Sequence, residues 1–136
     1  MKKIIFLDFD GVLNTEYNQN LLMYHGKSWK DKYGAFFDPE TVAELKRIVE
    51  ETNADIVIES SWKYLGRDEM NPAHTQWKRV EIASWIADNL QDEGRYVIID
   101  DEYVIQDSQL PHFILTNPYD GITADLANKA IKILNE

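Results

Sequence analysis

The stretch Phe6–Asn14 (FLDFDGVLN) decides the fold. It overlaps an apolar run, Lys3–Asp8 (KIIFLD), that is typical of a buried β-strand, and Gly11 follows where the chain must turn. In an extended backbone the side chains of residues i and i+2 share a face, so the carboxylates of Asp8 and Asp10 can converge on one point. Gly11 permits a sharp exit from the strand because it has no Cβ.

Three further apolar runs predict strands of the same kind. They are Asp55–Ile58 (DIVI), Tyr96–Ile99 (YVII) and Phe113–Leu115 (FIL). Runs without polar alternation are expected of strands that are covered on both faces, as in parallel sheets.

Helical patterns lie between these strands. Asp38 followed by Pro39 predicts a helix start, and an apolar stripe continues from there to Asn53 through Val42, Leu45, Ile48 and Val49. A second helix is predicted from about residue 75 to residue 90, and a third from Thr123 through Leu134. The alternation of strand and helix predicts an α/β fold, a three-layer, doubly wound and mainly parallel sheet with right-handed crossovers.

Length and composition indicate one domain spanning residues 1–136. The chain is 44% apolar and 28% charged, as in ordinary globular proteins, and no apolar run is long enough to cross a membrane. The absence of cysteine excludes disulfides, thiolate zinc sites and cysteine nucleophiles, and it is compatible with a reducing compartment. We therefore expect a cytoplasmic protein without a membrane partner.

Residues 14–37 form a polar and aromatic segment without a clean period, which we interpret as a small insertion over one end of the sheet. An ordinary surface loop and a substrate-contacting flap over the active site both fit such a segment. Its aromatic residues Tyr17, Tyr24 and Trp29 could stack on a base, although packing within the insertion is the interpretation we favour.

The net charge of −10 disfavours a nonspecific grip on a nucleic acid backbone by the whole molecule. The excess is concentrated after residue 80, where 11 acidic side chains face 3 basic ones. Most basic residues lie before residue 81. They could form a local basic surface around one anionic ligand, or they could be scattered over the solvent-exposed surface. They include Lys27, Lys30, Lys32, Lys63, Arg67, Lys78 and Arg79.

Polar residues follow each of the first three predicted strands. Asp8 and Asp10 require a cation or a shared proton if they lie close together in an apolar setting, and Mg²⁺ is the cation that suits carboxylates. The pair Asp100-Asp101 ends another strand, and in a doubly wound sheet such strand ends meet where the strand order reverses. The hydroxyls of Ser60-Ser61 suit a phosphate oxygen, although turn residues of this kind are common.

Together these segments resemble the motifs of the haloacid dehalogenase (HAD) superfamily. The resemblance rests on Asp8–Leu13 (DFDGVL), Ile56–Lys63 (IVIESSWK) and Ile98–Asp101 (IIDD), in that order at strand ends, and it covers nearly the whole chain. More narrowly, three segments are similar to small HAD domains grouped with RNA repair proteins: the Ser-Ser-Trp-Lys segment, Glu81-Ile82 with Trp85 after a basic residue, and Gly121–Thr123 (GIT). The fold implied is a HAD-like Rossmann-type sheet without a large cap domain.

The resemblance implies a phosphatase that works through an aspartyl phosphate. Asp8 becomes the nucleophile and Asp10 the general acid and base. Mg²⁺ is held by Asp8, the backbone carbonyl of Asp10, and the pair Asp100 and Asp101. The remaining expected contacts to substrate are Gly11, Ser60, Ser61, Lys63 and a catalytic lysine or arginine, for which Lys78 matches best and Arg79 second.

Two departures from the family pattern stand out. Glu59 places an acid beside the phosphate site, on the strand face opposite Ser60. The third strand of the sheet cannot be recognised between Trp62 and Thr75.

The short insertion leaves no room for a large cap, so an open site is expected. A phosphorylated nucleotide or nucleic acid end is the first substrate class that this implies, and a small metabolite enclosed by residues 14–37 is the second. A noncatalytic, phosphate-binding or scaffold HAD domain is a further alternative. A receiver domain is disfavoured, because Glu59, Ser60 and Ser61 stand where its phosphate-accepting aspartate would be.

Overall fold

A four-stranded parallel sheet forms the centre of the molecule. The computed structural model describes residues 2–32, 34–59, 82–90 and 94–136. The strands of the main sheet are β1 (Lys3–Leu7), β4 (Asp55–Ile58), β5 (Arg95–Asp100) and β6 (Phe113–Leu115), and β2 (Lys30–Asp31) and β3 (Gly34–Ala35) form a separate hairpin. The helices are α1 (Glu16–Tyr24), α2 (Pro39–Thr52), α3 (residues 82–89) and α4 (Ala124–Asn135), and a 3₁₀ helix covers Asp107–His112.

The order of the described strands in the sheet is β4-β1-β5-β6. From β1 the chain first adds β4 on one side and later adds β5 and β6 on the other, so the strand order reverses between β1 and β5. Leu7 is level with Ile58 on one side and with Ile99 on the other. The carboxyl ends of three strands therefore lie at the same height.

Helices cover both faces of the sheet. On one face Ile5 and Leu7 of β1 belong to a core that includes buried residues of α2 and α4, whereas Ile4 and Phe6 on the other face pack in a core with α3. The alternation of β1 between two apolar cores explains its uninterrupted apolar sequence. The predicted three-layer α/β fold is confirmed.

The α2 helix begins and ends where the sequence predicts. The Asp38 side chain accepts a hydrogen bond from the Glu40 amide, Pro39 is the first helical residue, and Asn53 ends the helix in the left-handed conformation. The predicted buried stripe was partly wrong, because Val42 is 40% exposed while Thr41 is buried. The Thr41 hydroxyl donates to the carbonyl oxygens of Leu13 and Asp38, which turns this polar residue toward the segment after β1.

The insertion at residues 14–37 contains α1, β2 and β3, which its sequence pattern does not predict. Thr15 caps α1 by accepting a hydrogen bond from the Asn18 amide, and Asn18 is the buried residue of that helix. Most of α1 is exposed to solvent, and a helix that buries little surface does not require an apolar stripe. This explains why the sequence of the insertion shows no helical period.

The first turn of α1 is tied to the loop after β6. The amides of Glu16 and Tyr17 donate to the carbonyl oxygens of Pro118 and Tyr119. Gly121, with φ +64°, lies so close to Val12 that a Cβ there would overlap the Val12 carbonyl oxygen. This loop and the turn after β1 therefore pack as one unit.

Two of the predicted secondary-structure elements extend over residues outside the described ranges. The segment in which a third strand was sought, between residues 62 and 75, is one of them. The start of the helix predicted from residue 75 is the other, and the part of that helix that the structure describes, residues 82–89, is helical as predicted. No helix in the described parts of the chain has the length and apolar character needed to cross a membrane.

Replacing Asp38 with alanine is expected to lower the free energy of unfolding by about 2 kcal/mol. The carboxylate of Asp38 is buried, caps α2, and accepts the Thr15 hydroxyl at 2.7 Å, so its loss leaves two donors unsatisfied. Urea unfolding monitored by circular dichroism measures the change.

The matched control is Glu50→Ala on the exposed face of the same helix. Glu50 lies 3.8 Å from Lys46 in a solvent-exposed pair, so this change should alter stability by less than about 0.5 kcal/mol. Equal stabilities of the two variants would contradict the anchoring role of Asp38.

Candidate active site

Three carboxylates meet at the reversal of strand order between β1 and β5. One carboxylate oxygen from each of Asp8, Asp100 and Asp101 lies within 4.8 Å of the other two. Asp8 is 4% exposed and Asp100 is 2% exposed, so two members of this acidic triad are buried. The Asp8 amide donates to the Ile99 carbonyl oxygen at 3.1 Å, which continues the strand register one residue past β1. That register is what brings the two acidic sequences together.

The turn after β1 is shaped around Asp101. Gly11 has φ +74°, and a Cβ at this position would overlap the Asp101 carboxylate. The Thr116 hydroxyl, which follows β6, donates to the Gly11 carbonyl oxygen at 2.7 Å, and the Thr116 amide donates to the Asp100 carbonyl oxygen at 2.9 Å. Thr116 thus joins the two strand-end turns that carry the acids.

Asp10 lies at the rim of this site. Its carboxylate is not part of the acidic triad, and Asp10 is exposed where Asp8 is buried. The Asn14 side-chain amide donates to Asp10 Oδ1 at 2.7 Å, while Asn14 Oδ1 accepts the Gly11 amide at 3.1 Å. Asn14 is itself buried, so it holds the Asp10 side chain in a fixed position.

The acidic triad carries a strong electrostatic cost. Burial, together with a hydrogen bond with Asp100 and the charges of Asp100 and Glu102, raises the pKa of Asp101 to about 7. The Glu102 amide donates to Asp100 Oδ1 at 3.0 Å, which helps to fix the position of that carboxylate. A divalent cation between the carboxylates would offset this repulsion.

The donor set fits Mg²⁺. Oxygen ligands about 2.1 Å from one ion are at most about 4.2 Å apart, so the acidic triad needs little adjustment to share it. Carboxylate oxygens are the ligands that Mg²⁺ prefers, and a triad at an open cleft leaves positions for water and phosphate oxygens.

A cleft of about 630 Å³ borders the acidic triad. One wall is the strand-end turns and the other is the insertion at residues 14–37. The turns supply Asp10, Gly11, Asp101 and Pro118, and the insertion supplies, among others, Trp29, Lys30 and Lys32.

The structure brings together only part of the expected site. Asp8, Asp100 and Asp101 meet, and Asp10 and Gly11 lie beside them. Glu59 is buried at the end of β4, and its amide donates to the Leu7 carbonyl oxygen. The remaining expected site residues lie outside the described residues: Ser60, Ser61, Lys63, Lys78 and Arg79.

Sequence reasoning assigned no role to Asn14 or Thr116. Asn14 lies at the end of the segment Phe6–Asn14, and a polar residue directly after an acidic strand-end turn is a feature that the sequence itself shows. Thr116 follows the short strand β6, and nothing in its sequence neighbourhood indicates that it contacts Gly11, 105 positions away.

The sheet and the acidic triad define a Rossmann-like α/β domain with an acidic site at the point of strand reversal. A family model described as the HAD domain in Swiss Army Knife RNA repair proteins matches residues 4–73 and 64–127, two overlapping segments that cover most of the chain. The chain belongs to this family. It has no significant match among curated proteins or among solved structures.

Membership confirms the HAD resemblance and its association with RNA repair. It supports a function related to that of the HAD phosphatases and agrees with the parallel sheet and the absence of a large cap in the described parts of the chain.

Without a divalent cation, the free energy of unfolding is expected to fall as the pH rises from about 4 to about 7. The folded state raises the pKa of Asp101 from 3.8 to about 7, so folding favours the protonated form. The resulting stabilisation is fully present below the unfolded pKa and is lost as the pH rises through the folded pKa. Added Mg²⁺ should therefore stabilise the protein more at pH 8 than at pH 5.

Thermal unfolding at several pH values, in chelator and in Mg²⁺, measures both effects. Asp101→Asn is the control, because it removes the titrating group while keeping the side-chain shape. Parallel pH curves for the wild type and this variant in chelator would contradict the prediction.

Proposed function

We propose that this domain is a Mg²⁺-dependent phosphomonoesterase that works through an aspartyl phosphate on Asp8 and acts on a phosphorylated nucleic acid end. The observation that carries the proposal is the acidic triad, packed within 4.8 Å at the strand reversal beside a cleft that Asp10 lines. Family membership supports the phosphatase class and the link to RNA.

Asp8, Asp100, Asp101 and the backbone carbonyl of Asp10 would hold the Mg²⁺. When bound, the ion supplies positive charge that lets an anionic nucleophile approach an anionic phosphate. The raised pKa of Asp101 supports this assignment, since burial first and the neighbouring charges of Asp100 and Glu102 second disfavour the carboxylate there, and a bound cation would offset both.

In the first step an Asp8 oxygen forms a bond to phosphorus, and the bond from phosphorus to the substrate oxygen breaks. Asp10, in its protonated form, gives its proton to the departing oxygen. Asn14 supports this role because its amide holds Asp10 Oδ1 at 2.7 Å. The products of the step are an alcohol, the Asp8 phosphate and ionised Asp10.

In the second step water attacks the same phosphorus atom. Ionised Asp10 takes a proton from the water, and the bond between phosphorus and the Asp8 oxygen breaks. Inorganic phosphate leaves, Asp8 returns as a carboxylate and Asp10 is protonated again. We assign contacts with the transferring phosphate to Gly11, Ser60, Ser61 and Lys63 and to Lys78 or Arg79, as the family resemblance implies.

We propose that residues 14–37 act as a flap over this site. The insertion forms one wall of the cleft and contributes Trp29, Lys30 and Lys32 to it. A cleft bounded by so small an insertion leaves space for a substrate that extends beyond the reacting phosphate, which supports a nucleic acid end over a fully enclosed metabolite.

Asp8→Asn is expected to lower kcat at least about a thousandfold, since the amide is a far poorer nucleophile. The assay uses an aryl phosphate and 3′- or 5′-phosphorylated oligonucleotides, with Mg²⁺ or with chelator. Labelled phosphate should be incorporated into the wild-type protein and not into the variant. Asp55→Asn is the matched control, because Asp55 lies at the opposite end of the sheet, at the start of β4.

Hydrolysis that survives Asp8→Asn, or that ignores the chelator, would contradict the mechanism. If the wild type hydrolyses none of these substrates but binds them in Mg²⁺, the noncatalytic alternative replaces the proposal.

Asn14→Ala is expected to slow hydrolysis of an alkyl phosphate by about tenfold to a hundredfold more than hydrolysis of an aryl phosphate. An alkoxide leaving group needs the Asp10 proton, whereas an aryl oxide leaves with little help. The ratio of the two kcat values is the measurement, because a general loss of folded protein leaves that ratio unchanged. Asn14→Asp, which keeps an acceptor for the Gly11 amide but loses the donor to Asp10, should change the ratio in the same direction. An unchanged ratio in both variants would refute the positioning role of Asn14.

A further inference from the structure

We infer that the β2–β3 hairpin carries a subsite for the nucleotide and the phosphodiester next to the phosphorylated end. This hairpin subsite consists of Trp29, Lys30 and Lys32. The inference rests on the proposed phosphatase function, and it adds to the reacting phosphorylated end a second contact with the single strand next to that end.

The position of the hairpin subsite supports this assignment. Its three residues line the same cleft as Asp10 and Asp101. At about 630 Å³ the cleft lies in the middle of the range for sites that hold whole ligands, so it exceeds what one phosphate group needs. A substrate whose phosphate reaches the acidic triad would therefore extend along the hairpin.

The charges in the cleft show what kind of extension would bind. Four carboxylates line it, from Asp10, Glu16, Asp31 and Asp101, so a polyanion would be repelled without local cations. Among the described lining residues the cations are Lys30 and Lys32. Both belong to the insertion at residues 14–37, which has three lysines and two acidic residues, whereas the whole chain has a net charge of −10. Local positive charge of this kind suits an additional backbone phosphate.

Trp29 supplies the second element of recognition. It is half-buried, and its carbonyl oxygen accepts the Phe36 amide at 3.0 Å, which fixes its backbone beside the hairpin. Lys30 Nζ lies over one face of the indole ring, 4.9 Å from its centre, so a base would stack on the other face. An aromatic ring beside a lysine is the combination with which proteins bind single strands, since the ring stacks on a base and the ammonium contacts the backbone.

The test compares kcat/KM for a phosphorylated trinucleotide with kcat/KM for an aryl phosphate. The ratio of the two should fall about tenfold in Trp29→Ala and in the double variant Lys30→Ala with Lys32→Ala. For the trinucleotide, the slope of log(kcat/KM) against log(salt) should become shallower by about 1 in the double variant.

Tyr24→Ala and Lys27→Ala are the matched controls. Both residues are exposed in the same insertion, and neither lines the cleft, so they should leave the ratio and the salt slope at their wild-type values. Thermal unfolding of each variant verifies that the insertion stays folded.

The failure of this inference differs from the failure of the proposed function. A wild-type protein that hydrolyses no phosphomonoester overturns the function. If the protein hydrolyses phosphomonoesters but the ratio of the two kcat/KM values is unchanged in the Trp29 and lysine variants, the hairpin subsite alone is overturned. An equal loss of kcat/KM on both substrates overturns it too, because it would assign the lysines to the reacting phosphate. Ribo- and deoxyribotrinucleotides should respond alike, and a fall confined to the ribose series would assign the contact to the 2′-hydroxyl and overturn the inference.

Discussion

The parallel register of β1 and β5 is the constraint on which the candidate site depends. It sets the ends of both strands level, so that Asp8 and the pair Asp100 and Asp101 crowd into a space in which their oxygens lie within 4.8 Å. Burial and crowding of like charges are unfavourable, and they raise the pKa of Asp101. A fold retains such an arrangement only if something else is gained, and a cation site is the simplest gain that carboxylates can offer.

Much of this organisation can be predicted from sequence because it depends on local signals. The strand before Asp8 is apolar on both faces, and α2 has its own start and stop residues in Asp38 and Asn53. The parallel sheet was predicted from the alternation of strand and helix, and the meeting of its acidic strand ends was predicted from the rule that ligands bind where strand order reverses. The prediction that Val42 is buried was wrong, because a periodic pattern does not show that the Thr41 hydroxyl has a buried hydrogen-bond acceptor in the Leu13 carbonyl oxygen.

Other parts of the site could not be predicted because they depend on contacts between distant segments. The insertion folds into α1 and a hairpin without an apolar stripe, held by backbone bonds to the loop after β6. The role of Thr116 follows from a buried hydrogen bond to Gly11, 105 positions away, whereas the hydrogen bonds of Asn14 to Asp10 and Gly11 are local. The structure thereby separates two tasks. The strand ends carry the acidic residues, and the insertion faces them across the cleft with residues that include Trp29, Lys30 and Lys32.

The contacts that join the turn after β1 to the loop after β6 also have a consequence for how the chain acquires its structure during synthesis. The Gly11 carbonyl oxygen, the Val12 carbonyl oxygen and the first amides of α1 all find their partners in residues 116–122. A nascent chain that has reached only β5 can pair its first strands, yet the turn carrying Asp8 and Asp10 still lacks the groups that hold it. These contacts of the turn consequently form only after residues 116–122 have been synthesised, and a ribosome-bound fragment ending before Thr116 would lack them.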